Sequence, residues 1–281
     1  NVFPESPVAT EQRHDVSSST LRVEAASRVA AGLGAWVRAI RPEQWLKNGF
    51  VLSPIVFSGR AMMWEYQWRA LVAFGAFCAV ASAVYLLNDV IDRDADRLHP
   101  RKAARPIASG LIAPSSALLV SVGLAFGGLV AGVVVSQLVA VILVAYIGLN
   151  ILYSLWLKDI VIVDVFVIAA FFIMRLLAGA VAVSVKPSIW LLLCGGLLAL
   201  YLGFAKRRHE LVLLGEGSSS HRAVLAKYST PFLDQLSVVL LSVTVVSYIM
   251  YSLESDTARM VGSEALSYST AFVLYGVLRY L

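Results

Sequence analysis

Three aspartates recur at helical spacing where a long apolar run ends. Asp89, Asp92 and Asp96 stand at i, i+3 and i+7, Asn88 lies one turn before Asp92, and the run leading into them extends from Ala70 to Ile91. That spacing sets side chains on one helical face. A carboxylate inside a membrane costs about 2.5–3.5 kcal/mol on insertion scales, so several together need a cation or a cavity. Clustered hard oxygens suit Mg²⁺, which keeps some waters and takes its other ligands from substrate phosphates. The next segment, His99-Pro100-Arg101-Lys102-Ala103-Ala104-Arg105-Pro106, brings cations able to bond phosphate oxygens directly. Carboxylates for a metal beside cations for an oxyanion read as a diphosphate site.

Three further constellations carry charge into apolar surroundings. Tyr153-Ser154-Leu155-Trp156-Leu157-Lys158-Asp159 closes one apolar run, and Asp164 sits five residues beyond Asp159, inside Ile-Val-Ile-Val-Asp-Val-Phe-Val. A spacing of five is poor helical register, so the pair is a thin acidic motif. Lys158 is either a snorkelling anchor or a ligand for an anion. Arg175 stands alone in Phe-Phe-Ile-Met-Arg-Leu-Leu-Ala-Gly-Ala and needs an anionic partner. That partner is an internal acid, such as Asp164 or one on another helix, or it is a bound anion. Ala205-Lys206-Arg207-Arg208-His209-Glu210 follows a later run and is read either as charge that sets topology or as a phosphate grip. His14, His99, His209 and His221 are too scattered for a zinc site. No Gly-rich phosphate loop and no nucleophile elbow is present.

The elements that must position these residues are membrane spans. The chain has 281 residues, 59% of them hydrophobic and 15% charged, with mean hydropathy +0.77. A soluble domain carries about 25% charge. Runs near the ~20 residues needed to span fall at 44–59, 69–91, 111–135, 137–157, 160–185, 188–205, 231–253 and 265–281. Residues 1–28 are polar, Ser-rich and aperiodic, and are expected to form a disordered tail ahead of a membrane domain over 29–281. Residues 29–40 suit a short amphipathic helix at the membrane surface, and Trp45 suits the interface. The chain stops inside an apolar run, so one more span is expected beyond Leu281. The net charge of +5 does not imply nucleic acid, because the basic residues lie mostly between apolar runs. One set of connections carries Arg93, Arg97, Arg101, Lys102, Arg105, Lys158, Lys206, Arg207, Arg208, Arg222 and Lys227. The opposite set carries Arg60, Arg69, Lys186 and Arg259. The positive-inside rule places the first set, and with it all the candidate chemistry, in the cytoplasm. Cys78 and Cys194 both lie inside apolar runs and read as small core residues.

Asn-Asp-x-x-Asp-x-x-x-Asp followed closely by Lys-x-x-Arg-Pro, placed after the second span, resembles the first motif of the UbiA-type intramembrane prenyltransferases. The Tyr153 and Lys158 segment with Asp164 resembles their second motif. Arg-Pro-x-Gln-Trp-x-Lys-Asn at 41–48, Arg-x-x-Ala-Gly at 175–179, Lys-Arg-x-x-Glu-Leu at 206–211 and the closing Tyr275-Gly276-Val277-Leu278-Arg279-Tyr280 are similar to the decaprenyl-phosphate phosphoribosyltransferase branch of that superfamily. Arg208-His209 departs from that branch, which usually has an aromatic and a small residue there. The resemblance implies an all-α, polytopic, nine-span bundle, with about eight spans within these residues. It implies that Asn88, Asp89, Asp92 and Asp96 bind a Mg²⁺-diphosphate, that Lys102 and Arg105 contact phosphate oxygens, and that Lys158 and Asp164 join Asp89 and Asp92 in catalysis. Lys47, Asn48, Tyr153, Arg175, Lys206, Arg207 and Glu210 would complete substrate binding.

The implied reaction is Mg²⁺-dependent transfer of a 5-phosphoribosyl group from phosphoribosyl diphosphate to a polyprenyl (decaprenyl) phosphate, a step toward the cell-wall arabinose donor. It would take place on the cytoplasmic side of the inner (plasma) membrane, in a chain that acts alone or as a homo-oligomer. An aromatic polyprenyltransferase of the same fold, of the 4-hydroxybenzoate type, is the alternative enzyme. The surplus of cations at Lys47, Arg175, Lys206 and Arg207 suits extra phosphate groups better than an aromatic acceptor. A transporter would favour charge at the midplane and internal repeats, whereas here charge gathers at one face and no repeat is evident.

Overall fold

The computed structural model describes residues 32–214, 228–253 and 268–280. The expected tail at 1–28, and Arg222, Lys227 and Arg259, lie outside the described residues. Among the described residues every regular element is helical. Residues 32–40 form α1, Pro42–Leu52 a 3₁₀ helix and Ser53–Phe57 the short α2. Then come α3 (Trp64–Ile91), α4 (Arg93–Leu98), α5 (Pro114–Val135), α6 (Gln137–Leu155), a 3₁₀ turn at Leu157–Asp159, α7 (Val163–Ala182), α8 (Ile189–Leu214), α9 (Thr230–Leu253) and α10 (Ser269–Tyr280). Six of these, α3 and α5 to α9, are long and apolar enough to cross a membrane. A bilayer forces helices because backbone amides have no water to bond there. The chain is therefore an all-α, multi-pass membrane protein, as expected.

One expected span takes another helical form, and another is described only in part. Residues 44–59 are not one long helix: an eleven-residue 3₁₀ stretch runs into five residues of α2. The described part of the last run is a helix of 12 residues. A further difference concerns α8, which does not stop at Ala205 but continues to Leu214. Lys206, Arg207, Arg208 and Glu210 are thus helical, and their i, i+3 and i, i+4 spacings become physical contacts rather than loop neighbours.

The chain divides into two compact units, Asn1–Pro42 with Tyr85–Ser121, and Glu43–Val84 with Val122–Leu281. In the first, α1 buries Ala35 and Ala39, four residues apart on one face. The basic segment after α4 is folded by turns: Ala103 N–H donates to His99 O at 3.0 Å, Ser109 N–H to Arg105 O at 2.9 Å and Ile112 N–H to Pro106 O at 3.0 Å. The Arg97 side chain ties this segment back to α4 by donating to Ala108 O at 3.0 Å. Ile107, Ala108 and Ile112 are buried beneath it.

In the second unit, one core joins Val51, Ala73, Phe77, Val80, Val139, Leu143, Tyr146, Val167, Phe171 and Ala178. Another joins Val165, Tyr201, Phe204, Tyr228, Leu233 and Leu241. The 3₁₀ stretch is held against α7 at a point where only glycine fits. A Cβ on Gly179 would lie 2.0 Å from the Val51 carbonyl oxygen. Gly179 is one turn beyond Arg175, so a single face of α7 presents a missing side chain and a guanidinium to the same short segment.

Candidate functional site

In the first unit the aspartates are held by cations. The Arg41 Nη2 donates to both oxygens of Asp89, at 2.6 and 2.8 Å. Arg105 Nη1 donates to Asp89 Oδ1 at 3.0 Å and to Asp96 Oδ2 at 2.6 Å, joining two carboxylates seven residues apart. Lys102 Nζ is 3.8 Å from Asp96 Oδ1. Asp89 and Asp96 are only 3% and 2% exposed. Their burial is possible because three cations stand against two acids. The helix does not run evenly through the motif: α3 ends at Ile91 and α4 begins at Arg93, with Asp92 between them. The turn continues nonetheless, since Asp92 N–H donates to Asn88 O and Asp96 N–H to Asp92 O, both at 2.8 Å. Asp92 is half-buried, and its carboxylate pairs with no cation among the described residues. The spacing argument therefore succeeds for Asp89 and Asp96, which share Arg105, and leaves Asp92 open.

Among the described residues no three His, Cys, Asp or Glu side chains converge as a closed metal site. The donors nevertheless fit a divalent cation in kind, being carboxylate and amide oxygens that a hard ion prefers. The fit has a geometric counterpart: Arg105 Nη1 occupies the point shared by two buried carboxylates, where one positive charge already serves both.

In the second unit Arg175 is the centre of a polar hub. Its Nε donates to Asn48 Oδ1 at 2.7 Å, Nη1 to Phe171 O at 2.8 Å and Nη2 to the Tyr146 hydroxyl at 2.9 Å. The rings of Tyr146 and Phe172 lie 5.1 and 5.6 Å from its guanidinium carbon. Arg175 is 4% exposed, and no carboxylate pairs with it among the described residues. The internal ion pair that the sequence left open, Asp164 with Arg175, is not formed. Lys47 lies within electrostatic reach of both Arg175 and Lys206, so three cations share this part of the unit.

Asp164 pairs instead with Arg207. The Arg207 Nε is 2.9 Å from Asp164 Oδ2, and its Nη1 is 2.7 Å from Glu210 Oε2. Both Asp164 and Arg207 are buried. Tyr228 completes the network: its hydroxyl donates to Asp164 Oδ1 at 3.1 Å and accepts from Ile162 N–H at 2.6 Å. Ile162 has φ +70°, so the chain enters α7 through a left-handed residue that this bond secures. Arg207, expected to bind phosphate, has two of its nitrogens, Nε and Nη1, committed to acids, and Glu210 is one of those acids. Tyr153 lies within electrostatic reach of Arg207 and packs edge-on to Phe171, with ring centroids 6.2 Å apart. Lys206 is largely exposed and 3.9 Å from Glu210. Lys158, in the 3₁₀ turn, is half-buried and makes no ion pair among the described residues. Arg208 pairs with Asp234 of α9.

Sequence reasoning missed Arg41, Tyr146 and Tyr228 as members of these networks. Arg41 lay inside the quoted Arg-Pro-x-Gln-Trp segment, and a cation immediately before a proline-led helix start was the available signal. Nothing in the local sequence marks Tyr146 or Tyr228. Trp45, expected as an interface anchor, donates through Nε1 to Ser82 Oγ at 3.0 Å.

The Tyr228 phenol is pushed up to about 12, by burial first and then by the charge of Asp164, while the Ile162 N–H pulls the other way. An acid whose folded value is raised stays protonated in the fold while the unfolded chain ionises. Its contribution to stability is therefore complete below its ordinary value near pH 10 and is lost as the pH climbs toward about 12. Tyr228→Phe is expected to lower stability near neutral pH by about 1–3 kcal/mol, since it strands Ile162 N–H and one Asp164 oxygen. It should also flatten the alkaline fall. Thermal unfolding of detergent-purified protein between pH 7 and pH 11 measures both.

A helical membrane bundle with paired aspartates on one buried helix end and lone cations elsewhere defines a class of intramembrane transferases. Residues 51–210 match the UbiA prenyltransferase family, and the chain belongs to it. It is a transferase of that family. It is 32% identical over 227 residues to the decaprenyl-phosphate phosphoribosyltransferase of Mycolicibacterium smegmatis, covering 79% of this chain and 71% of that one. With the enzyme of the same name from Mycobacterium tuberculosis it shares 33% over 224 residues, 78% and 74% of the two chains. Among solved structures, a UbiA homolog from Archaeoglobus fulgidus bound to GPP and Mg²⁺ superposes with a TM-score of 0.67 at 17% identity, covering 88% of this chain and 85% of that one. At that identity the likeness speaks for the fold.

Proposed function

We propose that this transferase moves a 5-phosphoribosyl group from phosphoribosyl diphosphate to a polyprenyl phosphate, in a Mg²⁺-dependent reaction on the cytoplasmic side of the inner (plasma) membrane. The product would serve cell-wall arabinose-donor synthesis. The relatives named for that reaction support the reading. The observation that carries it is Arg175, a buried guanidinium with no carboxylate partner among the described residues, sharing its surroundings with Lys47 and Lys206. A prenyl diphosphate and an aromatic acceptor offer one diphosphate. A phosphoribosyl donor and a lipid phosphate offer two further phosphate groups, and these need cations of their own.

The first unit takes the diphosphate. Asn88, Asp89, Asp92 and Asp96 would hold Mg²⁺, which when bound neutralises charge on the leaving diphosphate. Arg105 and Lys102 bond its outer oxygens, releasing acids they now hold. In the second unit Arg175, Lys47 and Lys206 are the cations that would suit a phosphate monoester, and Lys158 is a further cation with no ion pair among the described residues. Asn48 and Tyr146 orient the Arg175 plane, and the Asp164–Arg207–Glu210 network ties the start of α7 to α8. The acceptor is already anionic at neutral pH, so no strong base is required. Charge developing at the ribose carbon is stabilised by fixed charges rather than by a covalent enzyme intermediate.

Purified protein incubated with labelled phosphoribosyl diphosphate, polyprenyl phosphate and Mg²⁺ should yield labelled lipid, and EDTA should stop it. Prenylation of 4-hydroxybenzoate from a polyprenyl diphosphate, with no labelled lipid from the ribosyl donor, would replace the reading with the aromatic one.

A further inference from the structure

We infer that Arg41 couples metal binding to diphosphate binding, by holding Asp89 until a diphosphate arrives to take its guanidinium. This rests on the reading that the first unit's acids serve a metal-diphosphate. Asp89 Oδ1 is shared by Arg41 and Arg105, whereas Oδ2 accepts from Arg41. A metal ion can take Asp89 only as Arg41 lets go. The guanidinium is set for that exchange. It lies 5.0 Å from the centre of the Tyr85 ring and is partly exposed, while the acid it holds is buried. Its backbone is the left-handed end of α1, at φ +57°, with its N–H donating to Val37 O at 3.2 Å. The anchor of the side chain is thus fixed by α1 and not by the acid itself.

Charge makes the coupling. Asp89 and Asp96 face Arg41, Lys102 and Arg105, two acids against three cations. A divalent ion entering alone would meet two buried acids whose charge is already neutralised, and would have to displace a charge-assisted bond without compensation. A diphosphate brings the negative charge and offers Arg41 and Arg105 new acceptor oxygens. The metal and the diphosphate then bind as one. Arg41 is in this sense a positioning residue: it acts through Asp89 and withholds that carboxylate from free metal.

The test is Mn²⁺ binding to full-length protein in detergent, followed by the electron paramagnetic resonance of free Mn²⁺, with and without inorganic diphosphate. In the wild type, diphosphate should tighten Mn²⁺ binding by about ten-fold or more, the worth of one charge-assisted bond. In Arg41→Gln, Mn²⁺ alone should bind about ten-fold more tightly than in the wild type, and the gain from diphosphate should shrink to match. Arg41→Lys, which keeps a cation, should restore part of the gain. If Arg41→Gln is not monodisperse, Tyr85→Leu loosens the same guanidinium, and a gain of about three-fold in Mn²⁺ binding without diphosphate is expected from the lost ring contact. A ratio unchanged by these variants overturns the role of Arg41 while leaving the metal-diphosphate site in place. No Mn²⁺ binding by the wild type even with diphosphate overturns that site and this inference together.

Discussion

Asp89→Asn is expected to reduce phosphoribosyl transfer by about 10²–10³-fold while leaving the protein folded, the scale on which a lost charge-stabilising group acts at a reaction centre. Asparagine keeps the shape of aspartate and removes one charge. Asp89 is 3% exposed and accepts three hydrogen bonds from Arg41 and Arg105. Both arginines are partly exposed, so each can turn to water when the acid is neutralised, and the cost to folding stays moderate. The same neutralisation removes the carboxylate best placed, with Asp96, to share a cation. Asp94→Asn is the control: that carboxylate is 90% exposed and 3.6 Å from Arg97. It should change activity by no more than about two-fold, as surface substitutions away from special features do. Labelled-lipid formation by monodisperse preparations of the three proteins decides it. Activity of Asp89→Asn within a few-fold of wild type would show that this acid only anchors the two arginines.

Arg175→Met separates packing from ligand binding more sharply than any other substitution in the second unit. Methionine is close in length, flexible and apolar. It removes a buried charge that lacks a carboxylate, which by itself relieves a desolvation penalty. It also strands the Asn48 oxygen and the Tyr146 hydroxyl, each at a cost of about 1–3 kcal/mol. These effects oppose one another, so the melting temperature should move only modestly. The transfer rate should fall by about 100-fold at low donor or acceptor concentration, because a charge-assisted bond or pair of bonds to phosphate is lost. Ligand-induced stabilisation tells which substrate is held: whichever of phosphoribosyl diphosphate and polyprenyl phosphate raises the wild-type melting temperature but not that of Arg175→Met is the one Arg175 binds. Unchanged stabilisation by both, with unchanged turnover, would make Arg175 a purely structural hub joining the 3₁₀ stretch, α6 and α7.

Much of this protein is determined by sequence alone. Apolar runs of membrane-spanning length leave helices as the only way to satisfy the backbone, so the class and most span positions follow from composition and length. The aspartate motif was legible for a local reason: Asp89, Asp92 and Asp96 are close in the chain, and helical periodicity alone relates them. The run at 44–59 has the hydropathy of a span, but sequence did not show that it takes a 3₁₀ form, which goes with Arg175 and Gly179 on α7 standing against Asn48 and Val51.

What tertiary structure decided is the pairing of charges. Arg207 and Arg175 are both buried arginines, and the sequence around them does not bring the distant Asp164 to one rather than the other. Packing of α7 against α8 gives Arg207 the acid Asp164, beside Glu210 one turn on in its own helix, and leaves Arg175 with neutral partners only among the described residues. Arg41 reaches Asp89 across 48 residues, and Tyr228 reaches Asp164 across 64. Such contacts carry no periodicity. They exist because a buried charge must find a partner wherever the fold places one, and that place is set by the packing of whole helices.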